Sequence, residues 1–361
     1  MVGAKPQPFL ENEFFRVEIN PETGYIARLY DKENKREAFR GEGNFLVALE
    51  DTAERAKETS LEYAGPAWDI GLTGKKWDIA KATRIEVIEA GPARATIRVV
   101  HRFRESEFIQ DISLIAGVPR VDVEMSTDWH ERSTFLKAGF PVNVSSAKVA
   151  AEIPYGAIER AQAGNEMVMG KWVDISDADY GVAILNNGRN GFDAKDNLIR
   201  LSVIRGPWGP DPRADEGQHS FGYSIYPHRG GWKAGKVEFQ ALAFNSPLLA
   251  LQEPAHASPQ EQWAGKKGGV PESYSFIKTE SDHVILYAMK QMEGFYDTDA
   301  ILRFFECEGR EGDVSIQLPR PVRAVETNML EDIILGPIGD GQTIHFHMKP
   351  WEIKTVRLAR R

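Results

Sequence analysis

The chain has one cysteine, Cys307, among 361 residues, so no intrachain disulfide can close and the fold rests on packing. It has no basic excess. With 44 Lys and Arg against 53 Asp and Glu the net charge is -9, and phosphate backbones or anionic lipid surfaces are repelled on average. Neither nucleic acid nor a membrane is therefore an expected partner. No apolar run approaches the roughly 20 residues of a spanning helix. The first ten residues lack the basic and apolar regions of a signal peptide, which, with a single cysteine, predicts a cytoplasmic location. Several catalytic signatures are missing too: GxGxxG after a strand, GxxxxGK[ST], HExxH, paired CxxC and GxSxG. Their absence removes the support for dinucleotide, P-loop and zincin chemistry. There is no fixed-period repeat or low-complexity tract, which disfavours solenoids and propellers.

What the sequence does have is a hydrophobic period of two along nearly its whole length. In 94–103, Ala95, Ile97, Val99 and Phe103 alternate with Thr96, Arg98 and Arg102; in 121–129, Val121, Val123, Met125 and Trp129 alternate with Asp122, Glu124, Ser126 and Asp128. Each segment reads as a strand with one dry face. Similar runs fall at 14–19, 25–30, 45–50, 108–115, 181–185, 199–204, 220–226 and 237–244, and the Asn20-Pro21-Glu22-Thr23-Gly24 and Asp31-Lys32-Glu33-Asn34 segments bracket a hairpin. The pattern predicts an all-β protein, with 52–63 as the one helical candidate. Pro254, Pro259, Gly265, Gly268 and Gly269 interrupt the alternation at 251–271, which reads as a linker. Strands near 284–288, 301–306, 314–318, 344–348 and 353–358 then suffice for a small β-sandwich, so the predicted domains are 1–260 and 261–361.

Four polar segments qualify as candidate sites. His345 and His347 share one face of a strand, but two ligands do not make a metal site, and a solvated face opposite Ile344, Phe346 and Met348 explains them. Asp128 and His130 close a strand where polar residues are ordinary. The segment from Arg205 through Trp208, Asp211, Asp215 and His219 is richer: its prolines and glycines fix a shape, while arginine, tryptophan, aspartate and histidine are the groups that recognise a sugar. A self-satisfied Ω-loop, with Arg205 paired to Asp211 or Asp215, fits the same composition. The fourth segment holds Trp68 and Asp69, a stacking platform beside a hydroxyl acceptor, although a tryptophan is also readily buried.

Several stretches together resemble the C-terminal half of glycoside hydrolase family 38 α-mannosidases. They are Trp172-Val173-Asp174-Ile175-Ser176, Tyr180-Gly181-Val182 through Asn186-Asn187, Gly191-Phe192-Asp193, Leu201 to Pro207, Pro210-Asp211-Pro212 with Asp215, Gly217, His219 and Phe221, and Tyr226-Pro227-His228. Upstream, Ala67-Trp68-Asp69-Ile70 and Asp128-Trp129-His130-Glu131 fit the same family; downstream, Glu326-Thr327-Asn328 and Pro350-Trp351-Glu352 resemble the small sandwich that closes those enzymes.

The resemblance implies a galactose-mutarotase-like supersandwich followed by a small C-terminal β-sandwich. It also implies a missing partner. The family's zinc-binding barrel and aspartate nucleophile precede this half, so no catalytic residue and no metal ligand is expected in this chain, and zinc is expected only in the catalytic domain or subunit it would serve. Arg205 stands where the family turns an arginine toward the sugar pocket, with Trp68, Asp69, Trp208, Asp211, Asp215 and His219 as further pocket candidates for an α-mannoside. Self-association is a further expectation. The rival readings are a stand-alone epimerase or lyase using His130, His219 or His228 as general base, and a carbohydrate-binding or assembly module without chemistry.

Overall fold

The structure, a computed structural model, describes residues 7–52, 67–211, 213–251, 273–294 and 299–359. The predicted helix at 52–63 and the predicted linker at 251–271 lie, apart from Thr52 and Leu251, outside the described residues, as does the predicted boundary at 260. The chain forms two compact units: one runs to Ser246 without Pro154–Ala157, and the other takes Pro154–Ala157 and the residues from Pro247 onward.

The first unit is built from three sheets. A nine-stranded antiparallel sheet runs in the order Gly156–Ala161, Lys148–Ile153, Trp172–Ser176, Tyr180–Asn186, Gly217–Arg229, Val121–Trp129, Ser106–Ile115, Arg94–Phe103 and Ala82–Ala90. A six-stranded sheet runs Met167–Val168, Gly191–Lys195, Leu198–Gly206, Thr134–Pro141, Phe45–Asp51 and Leu72–Asp78, and a four-stranded sheet holds Phe9–Glu11, Phe15–Ile19, Ile26–Asp31 and Arg36–Glu37. All three feed one core, which includes Val17, Ile97, Phe108, Trp129, Phe140, Phe192 and Tyr223. Burying each such side chain contributes about 1.5–3 kcal/mol.

The period of two accounts for this. Val121–Trp129 alternates buried Val121, Val123, Met125, Thr127 and Trp129 with more exposed neighbours, as its sequence predicts. The hairpin at Asn20 forms as predicted, the Asn20 side chain accepting from the backbone N–H of Glu22 (2.8 Å) and Thr23 (3.2 Å). Gly24 closes it at φ 72°, where a Cβ would lie 2.3 Å from Val99.

One predicted strand is a helix. Segment 237–244 lies in the α-helix Val237–Asn245, which buries Val237, Glu238 and Ala241. Its apparent alternation uses Ala, Glu, Gln and Leu, good helix formers with little preference for a pleated surface, and the i, i+4 pair Val237 and Ala241 supplies the buried stripe. The Glu238 carboxylate anchors it, accepting from the Trp172 indole (2.6 Å) and lying 3.3 Å from the Lys171 ammonium, which also pairs with Glu152. Burial pushes the Glu238 carboxyl above the usual range.

The second unit is a β-sandwich in which Lys278–Glu280, Gly312–Thr327, Ile353–Ala359, Ala300–Glu306 and Val284–Gln291 are successive neighbours and Ile334–Met348 pairs with Gly312–Thr327. Each predicted C-terminal strand lies inside one of these. The core gathers Leu302, Phe304, Val314, Ile316, Ile344, Met348 and Val356. Fully buried Glu306 is satisfied by the backbone N–H groups of Glu308 (2.7 Å), Gly309 (2.7 Å) and Trp351 (2.8 Å).

Candidate functional site

Arg205 reaches its position through the register of the six-stranded sheet. It lies opposite Phe135, which lies opposite Leu49, so all three side chains share the face turned away from the main core. The strand ends against the chain at Glu131. A Cβ on Gly206 would stand 1.9 Å from the Glu131 carbonyl oxygen, so only glycine fits.

The arginine is fully engaged. Its Nε pairs with the carboxylate of buried Asp51, Nη1 donates to the Ala67 carbonyl (3.0 Å) and Nη2 to the Asp69 carbonyl. The second Asp51 oxygen accepts from the Gly71 N–H (2.7 Å), and the Thr52 N–H donates to the Gly71 carbonyl (2.9 Å). Ala67 in turn donates to the Gly209 carbonyl (3.1 Å), which ties segment 67–71 to the loop after Arg205. This corrects the Ω-loop pairing: the guanidinium bonds neither Asp211 nor Asp215 but an aspartate 154 positions away. The outward face of the sheet brings Asp51 to Arg205, whereas Asp211 accepts from the Arg213 N–H (2.9 Å) and Asp215, at φ 60°, turns its carbonyl to His219 Nε2 (2.8 Å).

The clamp leaves two tryptophans uncovered, with Trp68 69% and Trp208 53% exposed on the two tied segments. Asp69 is exposed and contributes its carbonyl to the clamp, leaving its carboxylate at the surface. Of the seven predicted site residues, Arg205, Trp68, Asp69 and Trp208 thus share one pair of joined segments, and Asp215 and His219 form a separate local turn. Two exposed indole faces on hydrogen-bonded segments suit stacking on a pyranose, and an exposed carboxylate suits hydroxyl donors.

Other histidines are distributed elsewhere. His228 is buried, its Nε2 donating to buried Asp174 (2.7 Å), at the opposite end of Gly217–Arg229 from His219. His130 is exposed and pairs with Asp128 (3.0 Å), which raises its pKa. His219 lines a cleft of about 470 Å³ with Asp128, Glu107 and Ser126. His345 and His347 lie on the exposed face opposite buried Ile344, Phe346 and Met348. Among the described residues no group of three or more His, Cys, Asp or Glu is placed to hold a metal ion.

Sequence reasoning missed a second charged cluster on the same sheet face. Lys137 is fully buried and pairs with Glu166 and Asp193 (2.8 Å), while donating to Ser202 Oγ (3.0 Å); Arg200 Nε bonds the other Asp193 oxygen (2.8 Å). The available signal was one lysine inside the apolar run Thr134-Phe135-Leu136-Lys137-Ala138-Gly139-Phe140.

Comparison with known proteins bears on both units. Residues 10–213 match the glycosyl hydrolases family 38 C-terminal domain, and 283–356 match the family 38 C-terminal beta sandwich domain. Alpha-mannosidase 2C1 of Mus musculus is 30% identical over 329 residues, covering 87% of this chain and 30% of the relative; alpha-mannosidase G of Dictyostelium discoideum is 28% identical, covering 96% and 32%. This chain therefore spans about a third of the length of these relatives. A crystal structure of a family 38 glycosyl hydrolase from Enterococcus faecalis superposes with a TM-score of 0.78 at 18% identity, over 99% of this chain and 44% of that one. No helix among the described residues is long and apolar enough to cross a membrane. With the family's C-terminal domain matched over more than half of its length, the chain belongs to glycosyl hydrolase family 38, to the part that forms the β-rich C-terminal region.

Proposed function

We propose that this chain completes the sugar pocket of a zinc-dependent α-mannosidase catalytic domain or subunit, contributing pocket wall rather than nucleophile. The observation that carries this is the Arg205 clamp, which joins Asp51, segment 67–71 and the Gly209 loop and holds Trp68 and Trp208 exposed. Such preorganised contacts favour a transition state because the chain has already been ordered. The substrate is an α-mannoside, the partner is the catalytic portion, and zinc belongs to that portion. A reducing, cytoplasmic setting accords with Cys307, which is buried and donates to the His283 carbonyl (3.1 Å).

In the assembled enzyme, Arg205→Lys retains a cation for Asp51 but loses the fork that grips two carbonyls. We expect kcat/KM to fall about ten- to a hundredfold, because the loosened clamp no longer holds segment 67–71 and the Gly209 loop in place at the pocket wall. Arg205→Ala additionally strands buried Asp51 and lowers stability, by about 3 kcal/mol. Unchanged kcat/KM in Arg205→Lys would refute the pocket assignment. The isolated chain is expected to bind no stoichiometric zinc and to leave aryl α-mannosides intact.

A further inference from the structure

We infer that the cleft between segments 70–73 and 164–166 is a carbohydrate-binding subsite, one that takes a hexopyranose through its hydroxyl groups and is built wholly from this chain. The cleft holds about 530 Å³ and is lined by Thr52, Ile70, Leu72, Asn165, Glu166 and Asp193, among others. That volume lies in the range of small-molecule sites, roughly 300–1,000 Å³.

The chemistry of its floor selects the ligand. Lys137 spends its three donors on Glu166, Asp193 and Ser202, Arg200 bonds Asp193, and Ser202 Oγ donates to Glu166. A buried ion cluster is a poor source of stability because desolvation offsets its attraction. What the cluster does accomplish is to fix two ionised carboxylates at the cleft. Two cations balance two anions, so the site has no net charge with which to draw a metal ion or a phosphate. Its remaining capacity is acceptor lone pairs, which suit neutral O–H donors. Asn165 adds an exposed amide with no hydrogen-bond partner among the described residues, and Ile70 and Leu72, 38% and 45% exposed, offer an apolar wall for the C–H face of a sugar ring. The same wall is braced from behind, since the Gly71 N–H bonds Asp51.

Taking mannose as the probe rests on the proposed function; the polyol chemistry does not. The test is titration of the 361-residue chain with methyl α-mannoside, followed by ligand-observed NMR, with glycerol as control. Saturable binding at about millimolar strength is expected for so small a ligand. Asn165→Ala and Glu166→Gln should each weaken it about tenfold, and Asn165→Ala should leave the melting temperature unchanged. Should Glu166→Gln fail to fold, Asn165→Ala alone carries the test. Absence of saturable binding, equal binding of glycerol, or binding that Asn165→Ala leaves intact would overturn the subsite. Because no turnover is read, this result is separate from the kinetics of Arg205→Lys: either can fail while the other stands.

Discussion

The two large sheets of the first unit turn different faces away from their common core. Over the strands Ala82–Ala90, Arg94–Phe103 and Ser106–Ile115 of the nine-stranded sheet the outward positions carry surface ion pairs: Arg98 grips Asp111 (2.7 Å), Arg94 grips Glu89 (2.6 Å) and Arg102 meets Glu107 (2.7 Å), all partly or largely exposed. On the six-stranded sheet the outward positions hold buried Val47, Leu49 and Phe135, fully buried Lys137 and the Arg205–Asp51 pair. The first is a solvent face whose pairs are each worth about 0–1 kcal/mol. The second is a structured surface in which charge has been taken out of water and its partners fixed. The lesson is that the pocket residues of this chain belong to a face with a second layer behind it, and that removing one charge there strands another.

The largest expected effect tests that claim directly. Lys137→Met should destabilise the first unit by about 3–5 kcal/mol in urea unfolding, because Glu166 and Asp193 lose their shared cation. Adding Glu166→Gln should recover part of the loss. A cost below about 1 kcal/mol would make the two faces energetically alike.

On the nine-stranded face, Arg98→Ala should cost about 1 kcal/mol or less, and the cost should shrink further at high salt. A loss comparable to that of Lys137→Met would erase the contrast.

The smallest effect is a shifted titration. The hydrogen bond to Asp128 favours protonated His130, so its pKa lies above the ordinary value of about 6.5. The sign follows: the pair's contribution is present below the unfolded pKa and fades as pH rises through the elevated folded value. NMR titration should show this midpoint return toward the ordinary value in Asp128→Asn. No change would mean that the pair does not persist in water.

Much of the fold was legible because one-sided burial leaves a local trace. Arg94–Phe103 and Val121–Trp129 have the bounds that their alternation predicts. Legibility weakens where both faces are covered, as in Thr134–Pro141, seven of whose eight residues are buried. It fails at 237–244, where a helix and a strand fit the same eight letters and docking against Trp172 decides. In the candidate site, the Trp68 and Trp208 segments stand out by composition. Asp51 does not, since nothing beside it in sequence distinguishes it from any carboxylate at the end of a strand.

The sequence by itself determined the all-β class, the position of most strands, the absence of a disulfide framework and the segments rich in sugar-recognising groups. These are local properties, fixed by the two-residue period of a pleated strand and by the conformational limits of glycine and proline. Only the tertiary structure decided that Arg205 meets Asp51 rather than Asp211 or Asp215, that Lys137 is shared by Glu166 and Asp193, and that Ala67 bonds Gly209. Partners separated by up to 154 positions meet through the order and register of strands in a sheet, and that order is set by packing the whole core at once.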